Sequence, residues 1–382
     1  MKFKEYRIDI WILLPVLALI LFSVGSVYSA SSYFSMSKFN DQNYMLKLHL
    51  IRVILAIIML FVFAKVDYRY YKKYGKLIIW ISILFLAIIY LGLFTTINGA
   101  TRWISIGPFS FQPSDLAKFT LIIYVSNLLV KKKEYLHFLY RGYYPLLFYI
   151  VLVTLLVAFQ PNFSTSIIIF GTSILLLFIS RVKFKHLAFT VLVLIPFVIL
   201  YVISKSYIVD RITSHSDYTA GSNPNYQLTQ SIIGFGNGGF TGVGIGNSYQ
   251  REFFLPEAYG DFIFSIIGEE YGFIGTFIII ILFVLLMYRG YSVTKTIKDE
   301  YGRYLSFGIT TIISAYAFVN MAVASGLAPT TGVPVPFISY GGTALIINSM
   351  AIGILLNISS FRNNDELFFL NNEPGKIKLP QY

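Results

Sequence analysis

The sequence predicts an all-α polytopic membrane protein with about ten transmembrane helices and a large extracellular loop between helices 7 and 8. Three observations support this prediction. Hydrophobic residues make up 56% of the 382 positions, and charged residues only 13%. Apolar runs repeatedly approach the roughly 20 residues that a helix needs to cross a bilayer. Basic residues are concentrated in alternate connecting segments, as the positive-inside rule requires.

Ten apolar segments account for the predicted helices. The first follows the basic residues Lys2, Lys4 and Arg7, and its length indicates a retained span rather than a removed signal peptide. The segments cover residues 11–30, 48–64, 77–94, 115–130, 143–158, 164–180, 187–204, 262–288, 304–325 and 340–358. We therefore expect residues 1–361 to form one transmembrane domain that includes a large outer loop, 205–260, followed by a short cytoplasmic tail, 362–382.

The charge distribution predicts the orientation of the chain in the membrane. With a cytoplasmic N-terminus, the inner segments hold 22 of the 30 Lys and Arg residues, and the outer segments hold six. The 22 comprise three in the N-terminal tail, five in 65–76, four in 131–141, three in 181–185, four in 289–303 and three in the C-terminal tail. This bias predicts that both termini are cytoplasmic. The net charge of +12 follows the topology and does not indicate nucleic-acid binding.

Composition also excludes some kinds of site. The sequence has no cysteine, which rules out disulfides, zinc thiolates and thiol nucleophiles, and its four histidines are dispersed. The predicted topology places three informative segments outside, 95–114, 205–260 and 326–339. Any chemistry is therefore expected on the outer face.

An acidic loop leads into the eighth apolar segment. Glu257, Asp261, Glu269 and Glu270 lie within fourteen positions, although the chain has only 18 acidic residues. This cluster indicates chemistry at the mouth of a membrane helix, but it also fits a solvated helix end capped by Asp261. On a helix that begins near Asp261, the last two carboxylates lie roughly 12–14 Å further along, at about 1.5 Å per residue, which favours a structural role for them.

The fourth span begins with two opposite charges. Pro113 predicts the first turn of a helix, and Asp115 and Lys118 fall on one face of that helix because they are three residues apart. Charges inside a membrane are costly unless they are paired or face a wet cavity, so the pair is either functional or a lock between helices. Arg52 in the second span raises the same question and has no obvious local partner.

Two glycine-rich stretches predict irregular backbone. Gly234, Gly236 and Gly239 match G-x-G-x-x-G without the βαβ unit that a dinucleotide site requires. Residues 234–246 are therefore expected to turn tightly at the membrane surface, with an anion-binding nest as the alternative. The stretch 326–343 contains three prolines and four glycines, which exclude a continuous helix. It is expected to form either a pocket wall or a plain re-entrant turn.

Three motifs occur in a fixed order: GATRWISIGPFSFQPSDLAKF (99–119), LPEAYGDFIFSIIGEEYG (255–272) and GVPVPFISYGGTALI (332–346). They resemble the hallmarks of the SEDS family of polytopic proteins, which includes FtsW and RodA. The stretch 242–258 and VYSASS in the first span are closer to the division type, FtsW, than to the elongation type, RodA. The chain departs from the family pattern in two places: in QPNFST (160–165) Asn162 replaces an acid and Ser164 replaces a glycine, and Asp115 replaces the commoner Glu.

The resemblance implies a peptidoglycan glycosyltransferase that polymerises lipid II, an undecaprenyl-pyrophosphate-linked precursor, on the outer face of a bacterial cytoplasmic membrane. It implies inversion at the donor sugar, and partners that include a class B penicillin-binding protein and other division proteins. Asp261 matches the family's essential aspartate and is expected to act as general base. A divalent cation, Mg²⁺ or Mn²⁺, is left open as a cofactor.

Seven other residues are candidates for binding the substrate or supporting the base. Arg102 and Lys118 are expected to steady the pyrophosphate or the catalytic carboxylate. Glu257 could contact the substrate or a cation. The remaining candidates are Arg211, Arg251, Asp115 and Ser339.

Three rival functions stay open: a RodA-like elongation polymerase, a transporter that flips lipid II, and a noncatalytic division scaffold. A flippase needs polar residues through the depth of the membrane, whereas most ionisable residues here lie in the outer half or in cytoplasmic segments. This distribution favours a polymerase. The intramembrane pair Asp115 and Lys118 weighs against a scaffold.

Overall fold

The computed structural model of the protein describes residues 8–91, 102–106, 109–219, 226–255 and 258–371. In these ranges the chain forms a helical bundle with one small β-hairpin, which confirms the predicted fold class. The α-helices are α1 (Ile10–Phe39), α2 (Tyr44–Lys65), α3 (Arg69–Ile88), α4 (Pro113–Lys131), α5 (Tyr144–Ala158), α6 (Phe163–Phe178), α7 (Phe184–Ile203), α8 (Ser206–Thr219), α9 (Tyr226–Gly238), α10 (Ile263–Thr296), α11 (Glu300–Ala324) and α12 (Ala344–Asn371). Short helical turns of other types occupy Ile89–Leu91, Lys133–Tyr135, Leu139–Tyr143 and Gln250–Phe254.

Each of the ten predicted apolar segments overlaps one of these helices, α1 to α7 or α10 to α12. Among the described helices, eight are long and apolar enough to cross a membrane by length and composition. The apolar helix α6 has only 16 residues, and α4 carries the charges of Asp115 and Lys118 near its start. The chain is a multi-pass membrane protein, and the number of ten spans stays a prediction.

The large loop is ordered where the structure describes it. It contains α8 and α9, and α9 packs against α10. A hairpin of β1 (Ile104–Ile106) and β2 (Phe109–Phe111) pairs antiparallel, with Ile104 opposite Phe111. No sequence pattern predicts this hairpin, since strands of three residues are too short to show an alternation.

The centre of the bundle differs sharply from its edge. Helix α4 is buried almost throughout, and it packs between α3 and α11. Helix α7 buries only Leu187 and Thr190 along its length. A helix that is apolar all round and so little covered by protein is expected to face lipid.

Three predicted outer segments meet at one end of the bundle. The backbone N–H of Gln112 donates to Thr343 Oγ1 at 3.2 Å, and the N–H of Tyr340 donates to the Tyr259 carbonyl at 2.9 Å. The topology prediction required this convergence, because all three segments were placed on the same side. We call this end the loop end and define it by the described residues 102–106, 109–112, 158–163, 205–219, 226–255, 258–262 and 326–343.

Helix α10 is broken at Gly272, although the sequence predicted a continuous span over 262–288. Gly272 has φ +64° and ψ −161°, a conformation that is essentially restricted to glycine. Residues of the large loop fill the break: Phe273 N–H donates to the Gly239 carbonyl at 2.9 Å, and Ile274 N–H donates to the Phe240 carbonyl at 3.2 Å. The loop thus replaces hydrogen bonds that a straight helix would make internally.

The same contacts correct the interpretation of the glycine string. Gly234 and Gly236 lie inside α9, so the tight turning is confined to residues 239–246. The N–H of Gly244 donates to the Glu270 carbonyl at 3.1 Å, and the N–H of Gly246 donates to Glu270 Oε1 at 3.1 Å. These donors are already used within the protein, which argues against an open anion-binding nest.

Gly272→Ala is expected to destabilise the protein by more than about 2 kcal/mol, which is within the range for a strained backbone position. A Cβ atom at this position would lie 2.4 Å from Gly242 N, so the loop must also move away. The midpoint of thermal unfolding in detergent measures the effect. Gly171→Ala in α6 is the matched control, because a Cβ there meets nothing within 4 Å; an equal loss in both variants would contradict the prediction.

Candidate active site

Asp261 lies in the turn before α10 and is partly exposed at the loop end. The N-cap position of α10 is Phe262, so Asp261 is not the helix cap that the sequence left open. Its backbone carbonyl accepts a hydrogen bond from Asn320 Nδ2 at 2.6 Å, and the same amide group donates to the Val333 carbonyl at 2.6 Å. One side chain of α11 therefore ties the Asp261 turn to the stretch 326–343.

The stretch 326–343 comes directly against the Asp261 carboxylate. Its backbone is not helical, as its prolines and glycines predicted. Gly332 has φ +71°, and a Cβ at this residue would lie 3.3 Å from Asp261 Oδ2. Only a residue without a side chain lets the backbone adopt this conformation so near the carboxylate. The arrangement fits the interpretation of this stretch as a pocket wall.

Two predicted basic residues share the electrostatic environment of Asp261. Burial lowers the pKa of the Arg102 guanidinium and nearby Arg211 lowers it further, whereas Tyr207 and Asp261 act in the opposite direction. The two guanidinium groups are therefore close enough to repel each other, and Asp261 offsets part of that repulsion. Such a cluster favours binding of an additional anion.

Hydrogen bonds to backbone carbonyls hold both arginines at the loop end. Arg102 Nε donates to the Gln160 carbonyl at 3.2 Å, and Arg102 Nη2 donates to the Pro161 carbonyl. Arg211 Nη1 donates to the Thr331 carbonyl at 3.4 Å. Arg102 is therefore held against the turn between α5 and α6, and Arg211 joins α8 to the pocket wall.

The ion pair at the start of α4 is present as predicted. Lys118 Nζ lies 2.9 Å from Asp115 Oδ1, and the two residues are only 2% and 5% exposed. Lys118 Nζ also lies 4.2 Å from the centre of the Tyr316 ring. Within the described residues, Asp115 Oδ2 is buried without a hydrogen-bond partner. The pair is thus desolvated on both sides and only partly satisfied.

Helix α11 relates this ion pair to Asp261. Tyr316, which contacts Lys118, and Asn320, which binds the Asp261 carbonyl, are one helical turn apart, or roughly 6 Å along the axis. Asn162 Nδ2 also lies 3.5 Å from Ser114 Oγ at the start of α4. The position where the family has an acid therefore sits beside the ion pair. We define the site cluster as Arg102, Asp115, Lys118, Arg211 and Asp261.

Arg251 lies apart from this cluster. Its Nη1 donates to Ser29 Oγ at 2.9 Å and lies 3.7 Å from Glu270 Oε1, and its Nη2 lies 2.5 Å from Glu252 Oε1. These contacts tie the large loop to α1 and α10. They give the Arg251 guanidinium a structural use within the protein, and its predicted contact with the substrate stays a prediction.

Ser339 and the two distal carboxylates are also engaged within the protein. Ser339 Oγ accepts a hydrogen bond from the Val335 N–H at 2.9 Å and so closes a turn. Glu269 is fully buried, and it accepts hydrogen bonds from Ser248 Oγ and from the Gln250 N–H. The structural role expected for the distal carboxylates fits these contacts. Glu257 lies outside the described residues.

Sequence reasoning missed Asn320 and Tyr316, which connect the members of the site cluster. The available signal was an amide side chain inside the apolar segment 304–325, since polar groups in membrane helices usually bond to another element. This signal does not identify the elements that Asn320 contacts, because its partners Asp261 and Val333 lie on separate loops.

Arg211 and Arg251 are expected to respond differently to replacement by Met. Arg211→Met should lower the rate of any reaction at this site about 100-fold, because it removes a donor that stabilises developing negative charge, while the protein stays folded. Arg251→Met should instead lower stability by about 3 kcal/mol, because Glu270 is then buried without its cation. Thermal unfolding and the rate per folded molecule separate the two effects. Equal losses of rate and stability in both variants would refute this division of roles.

The chain was compared with known proteins. A family model described as "Cell cycle protein", covering FtsW, RodA and SpoVE, matches residues 10–364. A "Probable peptidoglycan glycosyltransferase FtsW" of Geobacter metallireducens is 40% identical over 359 residues, which cover 93% of this chain and 95% of the relative. The "Stage V sporulation protein E" of Bacillus subtilis is 34% identical and covers 92% of this chain and 97% of its own length.

Two solved structures share the fold. One is a chain from a peptidoglycan synthase complex, with a TM-score of 0.75, 22% identity and coverage of 93% of this chain and 98% of that chain. The other is the rod shape determining protein RodA of Thermus thermophilus, with a TM-score of 0.69, 22% identity and coverage of 94% and 98%. At 22% sequence identity, the two structures show that this chain shares their arrangement of helices.

Proposed function

Because the chain belongs to the FtsW, RodA and SpoVE family, we propose that it is a peptidoglycan glycosyltransferase that polymerises lipid II into glycan strands. The relatives named FtsW favour the septal, FtsW-like role over an elongation role. The observation that carries the mechanism is the position of Asp261: a partly exposed carboxylate beside a glycine-lined wall, within electrostatic range of Arg102.

The reaction joins an acceptor sugar hydroxyl to the anomeric carbon of a donor sugar. Asp261 takes the proton of the 4-hydroxyl while that oxygen attacks, and the bond from the anomeric carbon to the pyrophosphate breaks. A single displacement of this kind inverts the anomeric configuration. The electron pair leaves on the lipid pyrophosphate, where the Arg102 and Arg211 guanidinium groups would stabilise the developing charge.

Lys118 and Asp115 are proposed to assist this reaction from a position about one turn of α11 away from the Asp261 carbonyl. The ammonium group of Lys118 is held by Asp115 and by the face of Tyr316. A buried cation at this depth places positive charge near the site, which favours binding of the pyrophosphate. Its contribution is tested separately from that of Asp261.

The loop end is proposed to be the outer face of a bacterial cytoplasmic membrane, with both termini in the cytoplasm. The excess of basic residues in the segments of the opposite end supports this orientation. Lipid II would then reach the site from the outer leaflet. Labelling of single cysteines introduced at the two ends, in intact cells, tests the orientation.

A divalent cation, Mg²⁺ or Mn²⁺, stays open as a cofactor of the proposed reaction. In the part of the chain that the structure describes, no group of three His, Cys, Asp or Glu side chains could hold a metal ion. If such an ion binds, Asp261 would help to hold it, and the ion would supply positive charge for the pyrophosphate. No step of the mechanism above passes through such an ion.

A class B penicillin-binding protein is the proposed partner that cross-links the new strands, together with other division proteins. The likeness in fold to a chain of a peptidoglycan synthase complex supports a membrane synthase that works in an assembly. No contact surface for this partner is assigned.

Incubation of the purified chain and its penicillin-binding partner with lipid II, followed by analysis of glycan length, tests the proposed function. A polymerase yields glycan strands in detergent, where no second membrane face exists. A flippase yields none in detergent but moves lipid II across the membrane of a vesicle. A scaffold does neither, and either of these two results would overturn the proposal.

A further inference from the structure

Arg52 is a buried cation that the proposed mechanism leaves unexplained. It lies in α2, eight residues from the start of the helix, or about 12 Å along the axis. Its exposure is 4%, and within the described residues it forms no ion pair. Its Nη1 atom is buried without a hydrogen-bond partner. A charge held in this way inside a membrane span needs a compensating interaction.

The compensating interaction is the face of an aromatic ring. The Arg52 guanidinium carbon lies 4.5 Å from the centre of the Tyr340 ring, within the range of a cation–π contact. Arginine suits this geometry better than lysine, because a planar guanidinium can stack on a ring. Tyr340 belongs to the stretch 326–343, so Arg52 connects α2 to the wall beside Asp261.

Tyr340 in turn holds the turn that carries Asp261. The Tyr340 N–H donates to the Tyr259 carbonyl at 2.9 Å, and the two rings meet edge to face with centres 5.6 Å apart and an interplanar angle of 87°. The Tyr259 ring is supported from behind by Phe34 of α1, with ring centres 5.2 Å apart. Asp261 follows Tyr259 by two residues, so the position of the carboxylate depends on this ring.

We propose that Arg52 is a positioning residue for glycan polymerisation: its guanidinium fixes the Tyr340 ring, which fixes Tyr259 and thereby the Asp261 carboxylate. The inference rests on the proposed function of Asp261. A direct role of Arg52 in binding the pyrophosphate is the alternative, and the split between kcat and KM distinguishes it from a positioning role.

Four variants test this chain of contacts. Arg52→Met removes the charge but keeps the length of the side chain, and Arg52→Lys keeps the charge without the planar group. Tyr340→Leu removes the ring, and Tyr340→Phe keeps its face. Each variant is assayed for kcat and KM towards lipid II and for thermal unfolding, together with the double variant Arg52→Met/Tyr340→Leu.

The expected result is a loss in kcat of about tenfold for Arg52→Met and for Tyr340→Leu, with KM changed less than about twofold. This pattern follows when an interaction acts on the reacting geometry rather than on substrate binding. Tyr340→Phe is expected to stay within about twofold of the parent, and Arg52→Lys to recover only part of the activity. The double variant should lose no more than either single variant, since both changes break the same contact.

Several outcomes would overturn the inference. Losses that multiply in the double variant would mean that the two residues act independently. A rise in KM with kcat unchanged in Arg52→Met would mean that Arg52 binds the substrate. Should Arg52→Met fail to fold, Tyr340→Leu and Tyr340→Phe still decide the question, because equal losses in both would exclude the ring face as the working contact.

Arg69 provides the matched control. It also lies over aromatic rings, with its guanidinium carbon 4.8 Å from the Phe361 ring, but at the opposite end of the bundle. Arg69→Met is therefore expected to leave kcat and KM unchanged. A parent protein that makes no glycan would refute the proposed function, whereas an active parent with unaffected Arg52 and Tyr340 variants would refute only the positioning role.

Discussion

Replacement of Asp261 by Asn is expected to reduce glycan synthesis by about 10³-fold, which is within the range that a general base contributes. The amide has nearly the same shape but cannot take the proton from the acceptor hydroxyl. The turn should survive, because Asn320 binds the backbone carbonyl of residue 261 and not its side chain. The measurement is the rate of polymerisation of lipid II by the purified variant with its partner present, scaled to folded protein.

Asp41→Asn is the matched control for this change. Asp41 lies on the same predicted side of the membrane, between α1 and α2, and pairs with Lys47 at 2.8 Å in an exposed position. Exposed pairs contribute little to stability, so this variant should be as active as the parent. Normal polymerisation by Asp261→Asn would remove Asp261 from the reaction and leave the base unassigned.

Lys118→Met is expected to lower the rate of polymerisation by about 100-fold, and to lower stability as well. The structural reason is that Asp115 then remains buried with neither oxygen paired, which costs about 3 kcal/mol or more. Activity should fall further than the amount of folded protein. Both quantities are measured on the same purified sample.

The double variant Asp115→Asn/Lys118→Met separates the two roles of this pair. It removes both charges, so most of the lost stability should return, as is found when buried ion pairs are replaced by neutral groups. The rate should stay low if the Lys118 ammonium acts on the substrate or on Asp261. Recovery of both stability and rate would instead show that the pair serves only to hold helices together.

Features that depend on neighbouring residues could be predicted from the sequence. The pairing of Asp115 with Lys118 follows from their spacing of three on one helix, and Pro113 marks where that helix begins. The helices and the absence of a continuous helix over 326–343 follow equally from local composition. In each case the physical cause acts over one or two turns of the chain.

Features that depend on distant residues could not be predicted in this way. The break in α10 lies within an apolar run, and it exists because residues 239–244 supply hydrogen bonds from another part of the chain. Arg251 and Ser339 looked like site residues because they belong to motifs, but the fold uses one to hold the large loop and the other to close a turn.

The sequence by itself determined that this protein spans the membrane several times, which family it resembles, and that Asp261 stands at the mouth of a helix. Hydrophobic length and motif order suffice for these conclusions, because they are properties of short segments. Only the tertiary structure decided which charges share a site. Arg102 and Arg211 come near Asp261 through backbone carbonyls on separate loops, and Arg52 acts on Tyr340 across the bundle. Buried polar groups must find partners wherever the fold places them, and their sequence spacing does not reveal those partners.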